Sequence, residues 1–547
     1  MNAMNSRSNA LVLALVCGTV LSLSGCKVGP DYKGPPETTS PADFAAVPTG
    51  AVPDVKSVPA PGDVELAGWW KQLGDPQLDS LIEKALVGNL DLQLAQARVK
   101  EARAARGIVV ADWFPAVGAG GNYQRYRNSN NIGFVGPNPS GGTDLYTAGF
   151  DASWEIDFWG KTARGVEAAD AIIGQTIESR RDVMISLLAE VASNYVALRG
   201  QQERLSVTEN AVKAQQDSLR LTESRFRAGL VGELDVSQAK AQLENRTAQL
   251  FPIKTEIERA INRLGVLLGK PPRTFAEELS PRAKLPNAPA LVNVGIPSEL
   301  LKRRPDIRAA ERSLASQTAR IGVATADLYP SFSITAAFGL QSNQFGSFWN
   351  MSSRYWNVVP GVSWPILDWG KIRSNIQVAD ARAEQAMIIY EQTVLGSFED
   401  VESSLLQMVS EQQRYGALTR SVEASARAVQ LAEDLYQTGN VDFRTVLDNQ
   451  LILFTAQDQA VISQTLTLTS MISLYKSLGG GWEYMEQDPW TPKLVPSSTI
   501  SAALDGITNP NATSSPPGEN GSNQPATAAP TNAASGGQAP VSIEPKP

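Results

Sequence analysis

The sequence contains no histidine, which removes the commonest general base and the commonest zinc ligand from any site the chain could build. Cysteine is almost as scarce. Cys17 and Cys26 both lie near the start, so the chain beyond them can form neither an internal disulfide nor a thiolate metal cluster. Enzymatic chemistry would then need a carboxylate pair or a Ser–Lys dyad, and no motif singles one out. No catalytic residues, no metal site and no cofactor are therefore expected. Positive charge is in deficit too: 48 Lys and Arg against 56 Asp and Glu give a net charge of −8, with no basic block to attract nucleic acid. Long apolar runs are missing as well. The run from Leu11 to Leu23 spans 13 residues, too few to cross a bilayer, and with Arg7 ahead of it reads as the core of a signal peptide over residues 1–25.

That run ends in Leu23-Ser24-Gly25-Cys26, which resembles the bacterial lipobox. The resemblance implies acylation of the Cys26 thiol and a mature chain that begins there; an ordinary signal peptide with an incidental cysteine is the alternative. Lys27, where some lipoproteins carry aspartate, is compatible with onward transport to the outer membrane.

What the sequence does contain is a repeat. Of its 547 residues 42% are apolar, enough for a sizeable core, and they fall into two halves with one plan. Ser153-Trp154-Glu155-Ile156-Asp157-Phe158-Trp159-Gly160-Lys161 returns 210 residues later as Ser363-Trp364-Pro365-Ile366-Leu367-Asp368-Trp369-Gly370-Lys371. Upstream, Ala111-Asp112-Trp113-Phe114-Pro115 is echoed by Ala326-Asp327-Leu328-Tyr329-Pro330. The same offset governs a hydrophobic heptad. Ile177, Met184, Val191, Leu198, Leu205, Val212, Leu219 and Phe226 correspond to Met387, Val394, Val401, Met408, Tyr415, Val422, Val429 and Tyr436. A period of seven held this long marks helices that supercoil against neighbours. A shorter partner carries Val236, Leu243, Leu250, Ile257 and Leu264, with Pro252 expected to kink or interrupt it.

Other segments alternate with period two, expected as strands at about 116–126, 145–157, 331–341 and 355–367. Pro360 and Pro365 weaken the last, and glycines weaken the first. Such strands suit a soluble sandwich or a membrane barrel. Four strands cannot close a barrel, and lipid does not tolerate an open sheet edge, so closure in a membrane would have to come from other copies of the chain.

At this point the residues resemble a known family, the TolC-like outer membrane factors, in the lipoprotein branch that serves resistance-nodulation-division pumps. The matches run in order along the mature chain: Cys26-Lys27-Val28-Gly29-Pro30-Asp31-Tyr32-Lys33-Gly34-Pro35, Trp69-Trp70 with Asp75-Pro76, Asn89-Leu90-Asp91-Leu92, Leu301-Lys302-Arg303-Arg304-Pro305-Asp306-Ile307-Arg308, and Leu474-Tyr475-Lys476-Ser477-Leu478-Gly479-Gly480-Gly481-Trp482. The resemblance implies a mixed α/β membrane protein. Three copies, each giving four strands, would make a twelve-stranded outer-membrane β-barrel continued by a long periplasmic α-helical barrel. It implies a passive exit duct for toxic solutes, with a periplasmic adaptor (membrane fusion protein) and an inner-membrane pump as partners and outer-membrane lipid around it. A non-conducting coiled-coil lipoprotein or adhesin is the alternative.

The same resemblance assigns adaptor-docking tips to the helical turns, with Arg225, Gly229, Leu230, Gly439 and Asn440 as candidates. It assigns a periplasmic gate to Asp448, with Asp235 its counterpart. Repeated around a narrow end, these carboxylates would favour cations; the alternative is that both favour the positive ends of their helices or sit on solvated faces. Thr445 stands where many relatives carry a further aspartate. Arg303, Arg304, Asp306 and Arg308 are expected to pack or pair rather than to catalyse. The expected organisation is a lipid-anchored arm over 26–68, a first repeat over 69–285, a second over 286–485, and a disordered Pro/Ala/Ser/Asn-rich tail over 486–547.

Overall fold

The computed structural model describes residues 27–35, 41, 43–46, 52–60, 66–127, 129, 142–294 and 297–485. The signal segment, Cys26, most of the loop near 127–144 and the tail from 486 lie outside them. The chain divides into Met1–Glu486 and Gln487–Pro547, and the described residues all belong to the first.

In chain order come β1 (Val58–Ala60), α1 (Pro76–Gly88), α2 (Leu90–Ala111), β2 (Ala116–Tyr126), β3 (Thr143–Ile156), α3 (Lys161–Arg227), α4 (Glu233–Leu267) and β4 (Leu291–Asn293). The second half supplies α5 (Pro297–Arg303), α6 (Pro305–Ala326), β5 (Ser331–Ser342), β6 (Arg354–Ser363), α7 (Lys371–Gln437) and α8 (Phe443–Ser477). The duplication extends to length. Both α3 and α7 have 67 residues, and both α4 and α8 have 35. At 1.5 Å per residue the long pair each reach about 100 Å.

The heptad is covered in the middle of these rods and, on α7, again at the far end, at Val429 and Tyr436. Met184, Val191, Leu198 and Leu205 are buried, as are Val394, Val401 and Met408, whereas Phe226 is exposed. Ile388, Ile389, Leu395 and Leu406 of α7 also face outward, so one chain does not satisfy its own apolar surface. Of the two outcomes expected at Pro252, kink or interruption, interruption does not occur: α4 runs continuously through it. Ile253, Ile257, Ile261 and Leu264 are buried just beyond, and that packing outweighs the local cost of a missing donor.

The four longer strands form one antiparallel sheet in the order β2-β3-β5-β6. The glycines of β2 do not weaken its pairing, which extends from Ala116↔Ser153 to Tyr126↔Thr143. β6 ends at Ser363, short of the expected 367. Pro365 has no N–H to give a ladder, and Asp368 instead accepts from the backbone of Gly370 (3.0 Å) and Ile372 (2.7 Å), turning the chain into α7. β2 and β6 are left as edges with no strand beside them among the described residues.

The core lies around the middle of the rods. Trp69 stacks on Tyr475 with centroids 5.2 Å apart and meets Trp70 edge-on, above Leu78, Leu81 and Ile82 of α1. Asp75 caps α1 by accepting from Gln77 (2.9 Å) and Leu78 (3.2 Å). Its second oxygen accepts the Tyr195 hydroxyl at 2.7 Å. Burial, with that carboxylate acting in the same direction, pushes the Tyr195 hydroxyl up to about 12, so it stays a neutral donor at ordinary pH.

The Arg-rich motif is a brace. Arg304, nearly buried, donates to both oxygens of Asp306 (3.0 and 2.7 Å), to Asp400 (3.0 Å) and to the carbonyl of Ser477 (2.9 Å). Arg308 pairs with buried Glu178 at 2.7 Å, and Arg303 with Glu483 at 3.4 Å. Exposed pairs contribute under about 1 kcal/mol, but removing one partner of a buried set strands the rest. Arg304→Ala is expected to destabilise the helical region by about 3 kcal/mol. Thermal unfolding followed by circular dichroism in detergent checks this, and an unchanged midpoint would rule the brace out.

Candidate functional site

The sequence points to the turns at the far ends of the long helices, and both are built alike. The N–H of Leu230 bonds the carbonyl of Arg225 at 2.9 Å, and that of Asn440 bonds Leu435 at 2.9 Å. Gly229 (φ 71) and Gly439 (φ 77) supply the left-handed residue such helix ends require. Leu230 is 66% exposed, and Gly229, Gly439 and Asn440 are exposed with it. These four candidate docking residues therefore share two solvent-facing turns.

Arg225 does something else. Its guanidinium donates to the carbonyls of Tyr436 (2.7 Å) and Gln437 (3.0 Å) at the end of α7 and lies 4.5 Å from the Tyr436 ring centroid. A cation on the last carbonyls of a helix meets both their lone pairs and the negative end of the dipole. It ties the first hairpin, α3–α4, to the second, α7–α8. Two further ties follow the rods. Gln215 donates to Gln450 (2.9 Å), which donates to Glu433 (2.8 Å), and Arg204 bonds Asp458 through two contacts of 2.8 and 3.1 Å. These links were not read from the sequence, because Gln and Glu at helical spacing look like solvated surface until the partner helix is known.

Below the turns the four helix ends converge on a small apolar cluster of Ala239, Ala432, Tyr436, Phe443, Val446 and Leu447. Asp235 lies half-buried in the first turn of α4 beside it. Burial raises the Tyr436 hydroxyl above its ordinary value, and the Asp235 carboxylate adds to that rise. Asp448 sits on the open side of α8. Its side chain is 64% exposed and 3.8 Å from Arg444, too far for a tight pair. The two candidate gate carboxylates are thus not equivalent: Asp448 presents charge to water, while Asp235 abuts the packed tip. Thr445, also exposed, adds no charge beside Asp448.

At the other end of the rods lies the start of the described chain. Arg164, 1% exposed, donates to the carbonyls of Val28 (3.1 Å) and Gly29 (3.3 Å) and to Asp31 (2.6 Å). Gly29 (φ 87) presses on Gly322 so closely that a Cβ would stand 2.4 Å from its Cα. The Val28 N–H bonds the Trp159 carbonyl at 3.2 Å. Cys26 itself lies outside the described residues, but its neighbour is held where β3 passes into α3.

No helix among the described residues is long and apolar enough to cross a membrane. The family profile described as outer membrane efflux protein matches residues 81–270 and 296–480. The chain belongs to the outer membrane efflux protein family. The two matched stretches fall one in each half of the chain. Relatives in this family include the antibiotic efflux pump outer membrane protein ArpC of Pseudomonas putida, 33% identical over 85% of this chain and 94% of that one. The probable outer membrane lipoprotein SilC of Salmonella typhimurium is 30% identical over 86% of this chain and 98% of its own. Among solved structures, the outer-membrane channel OprN superposes with a TM-score of 0.76 at 35% identity, covering 84% of this chain and all of that one.

This outer membrane efflux protein is an outer-membrane channel that extends into the periplasm, and the family's members are channel proteins rather than enzymes. Its sheet is one chain's share of a trimeric β-barrel, and its rods are a share of the α-helical barrel below. Two substitutions separate the roles at the tip. Charge-assisted hydrogen bonds contribute about 1.5–3 kcal/mol each and Arg225 makes two, so Arg225→Ala is expected to raise conductance of the closed channel at least about tenfold. Asp448→Ala is expected to change cation preference or that closed-state leak. Planar-bilayer recordings in asymmetric salt read both, and unaltered selectivity and leak in the Asp448 variant would remove it from the gate candidates.

Proposed function

We propose that three copies form a passive exit duct through which an inner-membrane resistance-nodulation-division pump expels toxic solutes, with a periplasmic adaptor (membrane fusion protein) engaging the helical tips. The observation that carries this reading is a sheet with two unpaired edges running directly into two rods of 67 residues. Nothing in such a duct has to react. The pump supplies the driving force, and selection of solutes lies largely with it, since the names of relatives range over antibiotic, cation and toluene efflux.

The exposed turns at Gly229-Leu230 and Gly439-Asn440 fit an adaptor that grips from outside, and Leu230 offers it an apolar foothold. Arg225 is better suited to bracing those turns from within. Asp448 is the stronger gate candidate, because its carboxylate is free to line a narrowing that Asp235 only backs. Cys26 would carry the lipid. The clamp on Lys27–Asp31 supports this, because it tethers the acylated end beside the strands and so at the membrane.

Purified protein in planar bilayers is expected to open discrete conducting steps, and silence would sink the duct in favour of a non-conducting coiled-coil fibre. Loss of the gene is expected to sensitise cells to at least one class among antibiotics, dyes, solvents and metal salts. Cys26→Ser is expected to abolish incorporation of a palmitate analogue. Retained labelling in that variant would refute Cys26 as the lipid site.

A further inference from the structure

The two halves obey a numbering rule that governs contacts as well as residues. Adding 215 to a residue of β2 or the segment before it, and 210 to a residue of β3 or the start of α3, gives its counterpart. The rule turns Ala116↔Ser153, the pairing at one end of the first hairpin, into Ser331↔Ser363, the pairing at that end of the second. It also turns the donation of the Trp154 indole to the Trp113 carbonyl, at 3.0 Å, into that of Trp364 to Leu328, again at 3.0 Å.

Where the first half meets the second, β3 lies against β5 and three further contacts form just beside the strands. Trp159 stacks on Tyr329 with centroids 4.6 Å apart and planes 25° from parallel. Its indole N–H donates to the Pro330 carbonyl at 2.8 Å, and Lys161 pairs with Asp327 at 2.8 Å. By the rule their counterparts are Trp369 against Phe114 and Pro115, and Lys371 against Asp112. Within one chain these contacts are not made, because β6 and β2 are opposite edges of the sheet. The residues are instead left open. Trp369 is 91% exposed and Phe114 51% exposed. Among the described residues neither ring has an aromatic partner, and neither Lys371 nor Asp112 has an ion pair. Trp369 further holds a left-handed φ of 56, which a bulky side chain rarely adopts.

We propose that the occupant of this surface is a second copy of the chain, in a defined register. Trp369 of one copy stacks on Phe114 of the next and donates to the carbonyl of the next copy's Pro115. Lys371 pairs with the next copy's Asp112, and β6 runs antiparallel to the next copy's β2 with Ser363 opposite Gly120. The seam between copies thereby repeats the seam within one. This deepens the three-copy duct reading and rests on it. It assigns Trp369, which on exposure alone would pass for an aromatic anchor in lipid headgroups, to a protein contact.

The test is photo-cross-linking in outer-membrane vesicles from cells making the full chain. The photo-reactive benzoylphenylalanine replaces Trp369 in one preparation and Phe114 in another, so that each side of the contact reports independently of any damage done by the other. The mass of the detergent-extracted particle is measured in parallel. The expected result is a trimer mass and a dimer-sized adduct. Its cross-linked peptide joins position 369 to residues 112–115, or position 114 to residues 364–371, of a differently isotope-labelled copy. A trimer whose adducts map elsewhere on the neighbour, or to lipid, overturns this register and leaves the duct reading intact. A single-chain mass overturns both.

Discussion

A β-strand carries an unpaired N–H and C=O on every second residue of its free side, and in lipid nothing but another strand can satisfy them. The sheet β2-β3-β5-β6 has two such sides. Everything distinctive about this chain follows from that debt. More than one copy is needed because four strands cannot curl into a cylinder, the number three being that of the related channels, and internal duplication makes the closure simple, since a seam that works once inside the chain can be reused between chains. The rods share the condition. Several of their apolar positions, Ile388, Ile389, Leu395 and Leu406 among them, stay uncovered within a single copy, so barrel and helices demand the same assembly.

Against that demand for neighbours stands a set of contacts that makes each copy a sound unit beforehand. The Trp69, Trp70 and Tyr475 cluster, the Arg308–Glu178 pair and the arm all bind the two halves of one chain together. The arm does so over a long path: the backbone of Ala45 and Ala46 donates to Glu402, and that of Lys56 and Ser57 donates to Gln412. β1 then pairs in parallel with β4. These interactions lie on the flank of α7. They leave the strand edges and the tips free.

Much of this was legible in the sequence because periodicity is a direct imprint of burial. The heptad and the alternating runs located the rods and the strands to within a few residues, and the duplicated Trp-Gly-Lys motif showed that both halves pass from strand to helix the same way. What was not legible depended on partners far away in the chain. Pro252 looked like a kink or a break because its local cost is visible, and the packing of Ile253 and Ile257 that keeps the helix continuous is not. Arg225 looked like part of a docking turn because nothing local announces that its guanidinium ends on carbonyls of α7. Asp235 and Asp448 looked alike because sequence gives the same residue at similar places in a helix, and only packing distinguishes a carboxylate against a ring from one in water.

The equal lengths of the rods have a further consequence. Each residue inserted into α3 alone would push its turn about 1.5 Å beyond the turn of α7 and rotate the buried seam off its partners. The Arg225 tie between the two turns would then be lost. Evolution can therefore lengthen or shorten the tube only by whole heptads, made in both rods and in their partners α4 and α8 together. A channel of this kind extends into the periplasm, and its reach there is quantised by its own coiled coil.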